Sequence, residues 1–171
     1  LLSKLRNMQK TITIQKDEML KRARLQISYE ADRHPELSGR YSEVLMKTTD
    51  SELAEVYLSA AMSRLSNLIS VYCPNVYEKT KQGEKDVLSI VLTLPSNYDA
   101  SAMGLMEEAV SRYLESKIIS EWMQKVAPAN AAQWGEQIVM ASADIRKALT
   151  RRARPKRDVV PPLDTISVTY E

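Results

Sequence analysis

The chain is predicted to be a mostly α, α+β protein: a helical bundle of four to five helices with a small β-hairpin and terminal strands. Several stretches repeat apolar residues at intervals of three and four, the signature of helices with one buried face. Glycine is limited to 4 of 171 residues, in a sequence rich in Ala, Leu, Met, Glu, Lys and Arg, all good helix formers. Three shorter stretches change to a period of two. The apolar fraction of 44% and charged fraction of 27% are those of an ordinary globular domain, and with no Phe the core falls to Leu, Ile, Val, Ala, Met and Tyr.

The elements follow in order. Lys10 to Gln15 alternates and is β-branched, so it is a strand. Asp17 caps a helix to about Asp32, with Leu20, Ala23, Ile27 and Ala31 on one face. His34-Pro35 ends it, because a residue before proline avoids the helical region. Leu37, Tyr41, Val44 and Leu45 fit a short helix before Thr48. Thr49-Asp50-Ser51-Glu52 has capping-box spacing and opens the clearest helix. Its stripe is Leu53, Val56, Tyr57, Ala60, Ala61, Leu65, Leu68, Ile69 and Tyr72, and Pro74 stops it.

Val76 to Lys81, Gln82-Gly83 and Asp86 to Leu94 form a hairpin. Its second arm is almost continuously apolar, which predicts a strand covered on both faces. Two strands alone are marginal, so the hairpin must pack on helices or pair with another strand. Asn97-Tyr98-Asp99 starts a long helix to about Val126, with Leu105, Met106, Ala109, Val110, Tyr113, Leu114, Ile118 and Trp122 facing the core. Pro128 suits the first turn of the next helix, whose buried face is Trp134, Ile138, Ala141, Ile145, Ala148 and Leu149. The short junction makes these two helices antiparallel neighbours. Residues 1–153 are thus a bundle domain with a hairpin insertion near 75–95, and 154–171 an extended basic arm with a terminal strand.

Sequence signatures of enzyme chemistry are lacking. There is no dinucleotide or P-loop glycine pattern, no H-E-x-x-H and no G-x-S-x-G. One cysteine, Cys73, and one histidine, His34, supply neither a zinc site nor a Cys–His pair, so no metal or cofactor is expected. Cys73 reads as a small buried apolar residue in a protein from a reducing compartment. Glu107 and Glu108 are adjacent on a helix and point apart. Glu121 and Lys125 are spaced for an i,i+4 ion pair. Trp122 and Trp134 flank the Pro128 turn as a core pair, or alternatively as a docking pocket for a neighbour's tail. No apolar run approaches the roughly 18 residues that span a bilayer, and Leu1 to Gln9 has no secretory hydrophobic region.

The most informative stretch is Arg146 to Glu171, into which the last helix runs. Arg146, Lys147, Arg151, Arg152, Arg154, Lys156 and Arg157 place seven positive charges in twelve residues without an acid. The remainder holds 17 Lys and Arg against 22 Asp and Glu, so a body near −5 carries a patch of +7. Positive charge favours a helix C-terminus, but that accounts for two or three residues. Two functional readings are open: contact with nucleic-acid phosphates, or a partner with an acidic surface, another copy's body included. After Pro161-Pro162 comes an alternating segment, Thr165, Ile166, Ser167, Val168, Thr169 and Tyr170. It pairs either with Lys10 to Gln15 of its own chain or with a sheet edge on a partner.

The layout of a capped helix at Thr49 to Tyr72, a hairpin around Gln82-Gly83, a helical pair from Ala100 to Arg152 and an extended arm resembles the head–tail connector (adaptor) proteins of tailed bacteriophages. The resemblance implies a virion structural protein, present in the host cytoplasm during assembly, that forms a homo-oligomeric ring between portal and tail. It implies that Arg151, Arg152, Arg154, Lys156 and Arg157 contact the portal or face DNA, and that Thr165 to Tyr170 is the inter-subunit strand. Its partners would be copies of itself, the portal and tail components, and non-specifically DNA, with no membrane. The strand at Lys10 to Gln15 departs from the family, whose members commonly begin with helix. A non-enzymatic assembly role is therefore expected, the alternative being a nucleic-acid-binding accessory protein that uses the same basic block.

Overall fold

A computed structural model describes residues 7–73, 78–82 and 85–153. The described chain runs β1 (Met8–Gln15), α1 (Lys16–Arg33), two one-turn helices α2 (Pro35–Ser38) and α3 (Tyr41–Val44), α4 (Ser51–Ile69), β2 (Glu78–Gln82), β3 (Lys85–Leu94), α5 (Met103–Val126) and α6 (Ala132–Thr150). Single 3-10 turns at Thr48–Asp50, Ala100–Ala102 and Pro128–Asn130 lead into the last three helices. The class is the expected one, mostly helical with a small antiparallel sheet.

The sheet has the order β1-β3-β2, so the strand near the start of the chain supplies the extra pairing that the hairpin needs. β1 lies antiparallel to β3 over its whole length, with Ile12 opposite Ile90 and Ile14 opposite Leu88. Ile12, Ile14, Leu88, Ile90, Leu92 and Leu94 are buried against the helices. Gln9, Thr11 and Thr13 on the other face are exposed, and Val91 between them is 39% exposed. The expectation that β3 is covered on both faces is therefore met only in part: on the outward face Val87 is buried while Val91 is open. An antiparallel sheet needs only one packed face, and the outward valine reflects the preference of β-branched residues for a pleated surface.

Helix α5 is the centre of the bundle. Its buried residues Met106, Ala109, Val110, Tyr113, Leu114, Ser116, Ile118, Ile119, Ser120, Trp122 and Met123 fall on nearly every side. It packs on α1, α4 and most extensively on α6. The α5–α6 hairpin is antiparallel, as the short connection requires, with Arg112 Nη2 reaching Asp144 Oδ2 at 3.1 Å. Trp134, Ala141, Ile145, Ala148 and Leu149 are buried as expected and Ile138 is partly so. Leu105, assigned to the core stripe of α5, is 55% exposed because it lies on the outward side of a turn whose neighbours Ala102 and Met106 are buried.

Three local expectations are revised. α1 begins at Lys16 with Gln15 at the cap position and no side-chain cap, so Asp17 sits within the first turn, where its charge still favours the dipole. Thr49 does not cap α4. A 3-10 turn precedes that helix, and the Lys47 amide donates to Asp50 Oδ2 at 2.8 Å. The buried stripe of α4 is Ala54, Leu58, Ala61, Met62, Leu65 and Ile69. Val56 is 61% exposed and Ala60 is exposed. α4 packs on α5, and the larger Leu58 and Met62 fill that interface better than Val56 and Ala60. The helix ends at Ile69, and Tyr72 follows in the turn, its carbonyl accepting from the Thr93 amide at 2.6 Å.

Candidate assembly surfaces

The basic block begins on the last turn of α6. Arg146 and Lys147 are exposed there, and Thr150 Oγ1 donates to both of their carbonyls at 3.0 and 3.2 Å. Arg151 and Arg152, just past the helix, have defined partners. Arg151 Nε lies 3.1 Å from Asp99 Oδ2, while Arg152 Nη1 donates to the carbonyls of Leu149 and Arg151 at 3.0 and 3.1 Å. Arg152 also bridges Tyr98 in antiparallel fashion, and the Ala153 amide donates to Asn97 O at 2.8 Å. The chain therefore leaves the bundle from a fixed point beside the entry to α5. Arg154, Lys156, Arg157 and the segment Thr165 to Tyr170 lie outside the described residues.

Asp99 organises this exit. Its carboxylate accepts from the Ser101 amide at 3.0 Å and from Ser101 Oγ at 2.7 Å. Those bonds, with the Arg151 guanidinium, hold its pKa below the usual carboxylate value. Burial pushes the adjacent Tyr98 phenol up, and the Asp99 charge adds to that shift. The predicted start of α5 at Asn97-Tyr98-Asp99 is therefore also the docking point of the basic segment, a double role with no sequence signal beyond the capping residue.

A cleft of about 610 Å³ opens between α1, α5 and α6. Trp134 lines it; Trp122 does not. Instead Trp122, 5% exposed, donates from Nε1 to Val44 O at 2.6 Å and ties α3 to α5. Both tryptophans therefore belong to the core, and Trp134 also forms part of the cleft wall. The charges of the cleft largely neutralise one another. Arg22 meets Glu115 at 2.7 Å, and buried Glu30 accepts from Gln133 at 2.9 Å and faces His34 at 3.3 Å. Burial pushes the Glu115 carboxyl above its ordinary pKa, and Arg22 offsets part of the shift. Arg112 Nε and Trp134 Nε1 are buried with no acceptor among the described residues. Sequence reading missed this cleft because its charges are scattered over three helices and form no motif.

The remaining titratable candidates have plain roles. Cys73 is 6% exposed, and burial pushes its thiol up, away from the reactive thiolate. His34 sits between Glu30 and Glu36 at 3.3 Å from each. Lys16, 4% exposed, binds Glu55 at 2.6 Å and ties α1 to α4. Among the described residues Glu121 makes no ion pair with Lys125; its charge acts on Lys117 and Tyr57. Within the same residues no group of three or more His, Cys, Asp or Glu is placed to hold a metal ion. No described helix is long and apolar enough to cross a membrane.

The sheet offers a third surface. Its two margins, β1 and β2, differ in length, eight residues against five. Comparison of the chain with family models, curated proteins and solved structures gives no match.

Proposed function

We propose that this chain is a structural assembly protein of the tailed-phage head–tail connector kind, forming a homo-oligomeric ring between portal and tail. The helical bundle is the wedge of the ring, and residues 154–171 are the arm that joins it to its neighbours. In this reading the protein resides in the virion, and in the host cytoplasm during assembly. The observation that carries it is the anchored exit of the arm: Arg151 on Asp99, Arg152 beside Tyr98 and Ala153 on Asn97. A segment that must find a neighbour gains effective concentration when its root is fixed and its direction defined. The cationic end and acidic body supply complementary charge between copies.

Nucleic-acid binding through the same block is the second reading. Of its four described members, Arg151 and Arg152 are engaged in holding the exit, which favours a joint over a continuous phosphate-binding stripe. Light scattering on the full chain and on residues 1–153 separates the two. A ring mass for the full chain and a monomer mass for the shortened one support the connector. A monomeric full chain that binds DNA with steep salt dependence overturns it in favour of the accessory protein.

A further inference from the structure

We propose that the outer edge of β1 is the receptor for the strand Thr165 to Tyr170, extending the sheet by one strand beyond β1. This shares with the ring reading only the assignment of those residues as a pairing strand.

β3 occupies one side of β1 from Met8 to Gln15. The other side is a sheet margin, with no further strand among the described residues. Such an edge presents a row of amides and carbonyls that template another strand. The two margins are not equivalent. β2 reads Glu-Lys-Thr-Lys-Gln, five residues of which three are charged, the composition by which natural edges repel additions. β1 reads Met-Gln-Lys-Thr-Ile-Thr-Ile-Gln, with Lys10 its one charge over eight residues. It is the longer and less guarded edge.

The side-chain pattern selects the occupant. β1 puts Ile12 and Ile14 toward the helices and leaves Gln9, Thr11 and Thr13 exposed. Their neighbours across β3 on the exposed face include Ser89 and Thr93. The sequence Thr165-Ile166-Ser167-Val168-Thr169-Tyr170 has the same division. Laid beside β1, Thr165, Ser167 and Thr169 continue the hydroxyl face, while Ile166, Val168 and Tyr170 continue the apolar one beside partly buried Met8. A slip of one residue inverts both sets, so the match fixes the parity of the register. Cross-strand Thr–Thr and β-branched pairs then add to the backbone bonds. Reach is sufficient. Arg152 pairs with Tyr98, near Leu94, which lies opposite Met8, so the arm departs from the Met8 end of the strand. Residues 154–164 extend to at most about 36–40 Å, enough for β1 of the same chain or of an adjacent copy.

Disulfide trapping in the full chain tests this. In a Cys73→Ala background, Ser167→Cys is combined in turn with Gln9→Cys, Thr11→Cys, Thr13→Cys and, as comparator, Thr80→Cys on β2. Mild oxidation is expected to cross-link Ser167→Cys to one of the three β1 positions and not to β2. A ladder of covalent multimers supports both this assignment and the ring. A cross-link confined to single chains supports the β1 edge but overturns exchange between subunits. Absence of any β1 cross-link, or a preference for Thr80→Cys, overturns the proposal. An independent measurement is hydrogen exchange on full-length Val168→Pro. Alternate amides of β1 should lose protection while α5 and α6 keep theirs, and unchanged protection in β1 sinks the assignment.

Discussion

Trp122 shows how much a single side chain can hold. Its indole fills the bundle and its N–H binds the Val44 carbonyl at 2.6 Å in a buried site. Trp122→Phe keeps most of the packing but strands that carbonyl, which should cost about 1–3 kcal/mol. Urea unfolding should show the midpoint lowered at unchanged slope. Glu115 predicts a pH effect of definite sign. Burial raises its folded pKa above 4.5 despite Arg22, so the folded state retains a proton that the unfolded chain has released. Its contribution is complete below the ordinary carboxylate range and declines as pH rises through the folded value. Glu115→Gln removes this decline, so the variant should gain on the parent protein as pH is raised from about 4 to 7. Stability measured across that range checks it, and a gain in the opposite direction would contradict the desolvation account.

At the scale of elements, periodicity located every long helix, but the faces were less legible. Leu58 and Met62 on α4 are buried, while Val56 and Ala60 are not. All four fit a three-and-four spacing, and the choice depends on where α5 lies, which no local pattern contains. The same holds for β3, whose outward residues pass from buried Val87 to open Val91 along one apolar run. Leu58→Ala should therefore cost about 2–5 kcal/mol, whereas Val56→Ala should stay within about 0.5 kcal/mol; denaturant midpoints of the pair decide between the two stripes. Caps were misplaced for a related reason. Asp50 and Asp99 act from 3-10 turns that precede α4 and α5, and such turns blur the spacing by which a cap is recognised. The exit of the basic segment was legible as charge alone. Its anchoring on Asn97, Tyr98 and Asp99 joins positions more than fifty residues apart.

For the whole molecule, the connector reading makes the bundle and the arm separable. Residues 1–153 should melt much as the full chain does when both are monomeric, since the connector reading assigns the arm to contacts between copies; circular dichroism of the two forms measures this. Asp99→Ala should leave the bundle folded but loosen the root of the arm, weakening ring formation without abolishing it, as read by light scattering across concentration. The sheet carries a different consequence, for the order in which the molecule is made. β1 leaves the ribosome well before its partner β3, which lies more than seventy residues downstream. Until that partner emerges, the backbone amides and carbonyls of β1 have no ladder to join. α5 and α6, by contrast, can associate as soon as both are synthesised, with little loop to close. Translation thus leaves the leading strand waiting, and the nascent chain is most vulnerable to chaperone capture or aggregation in that interval.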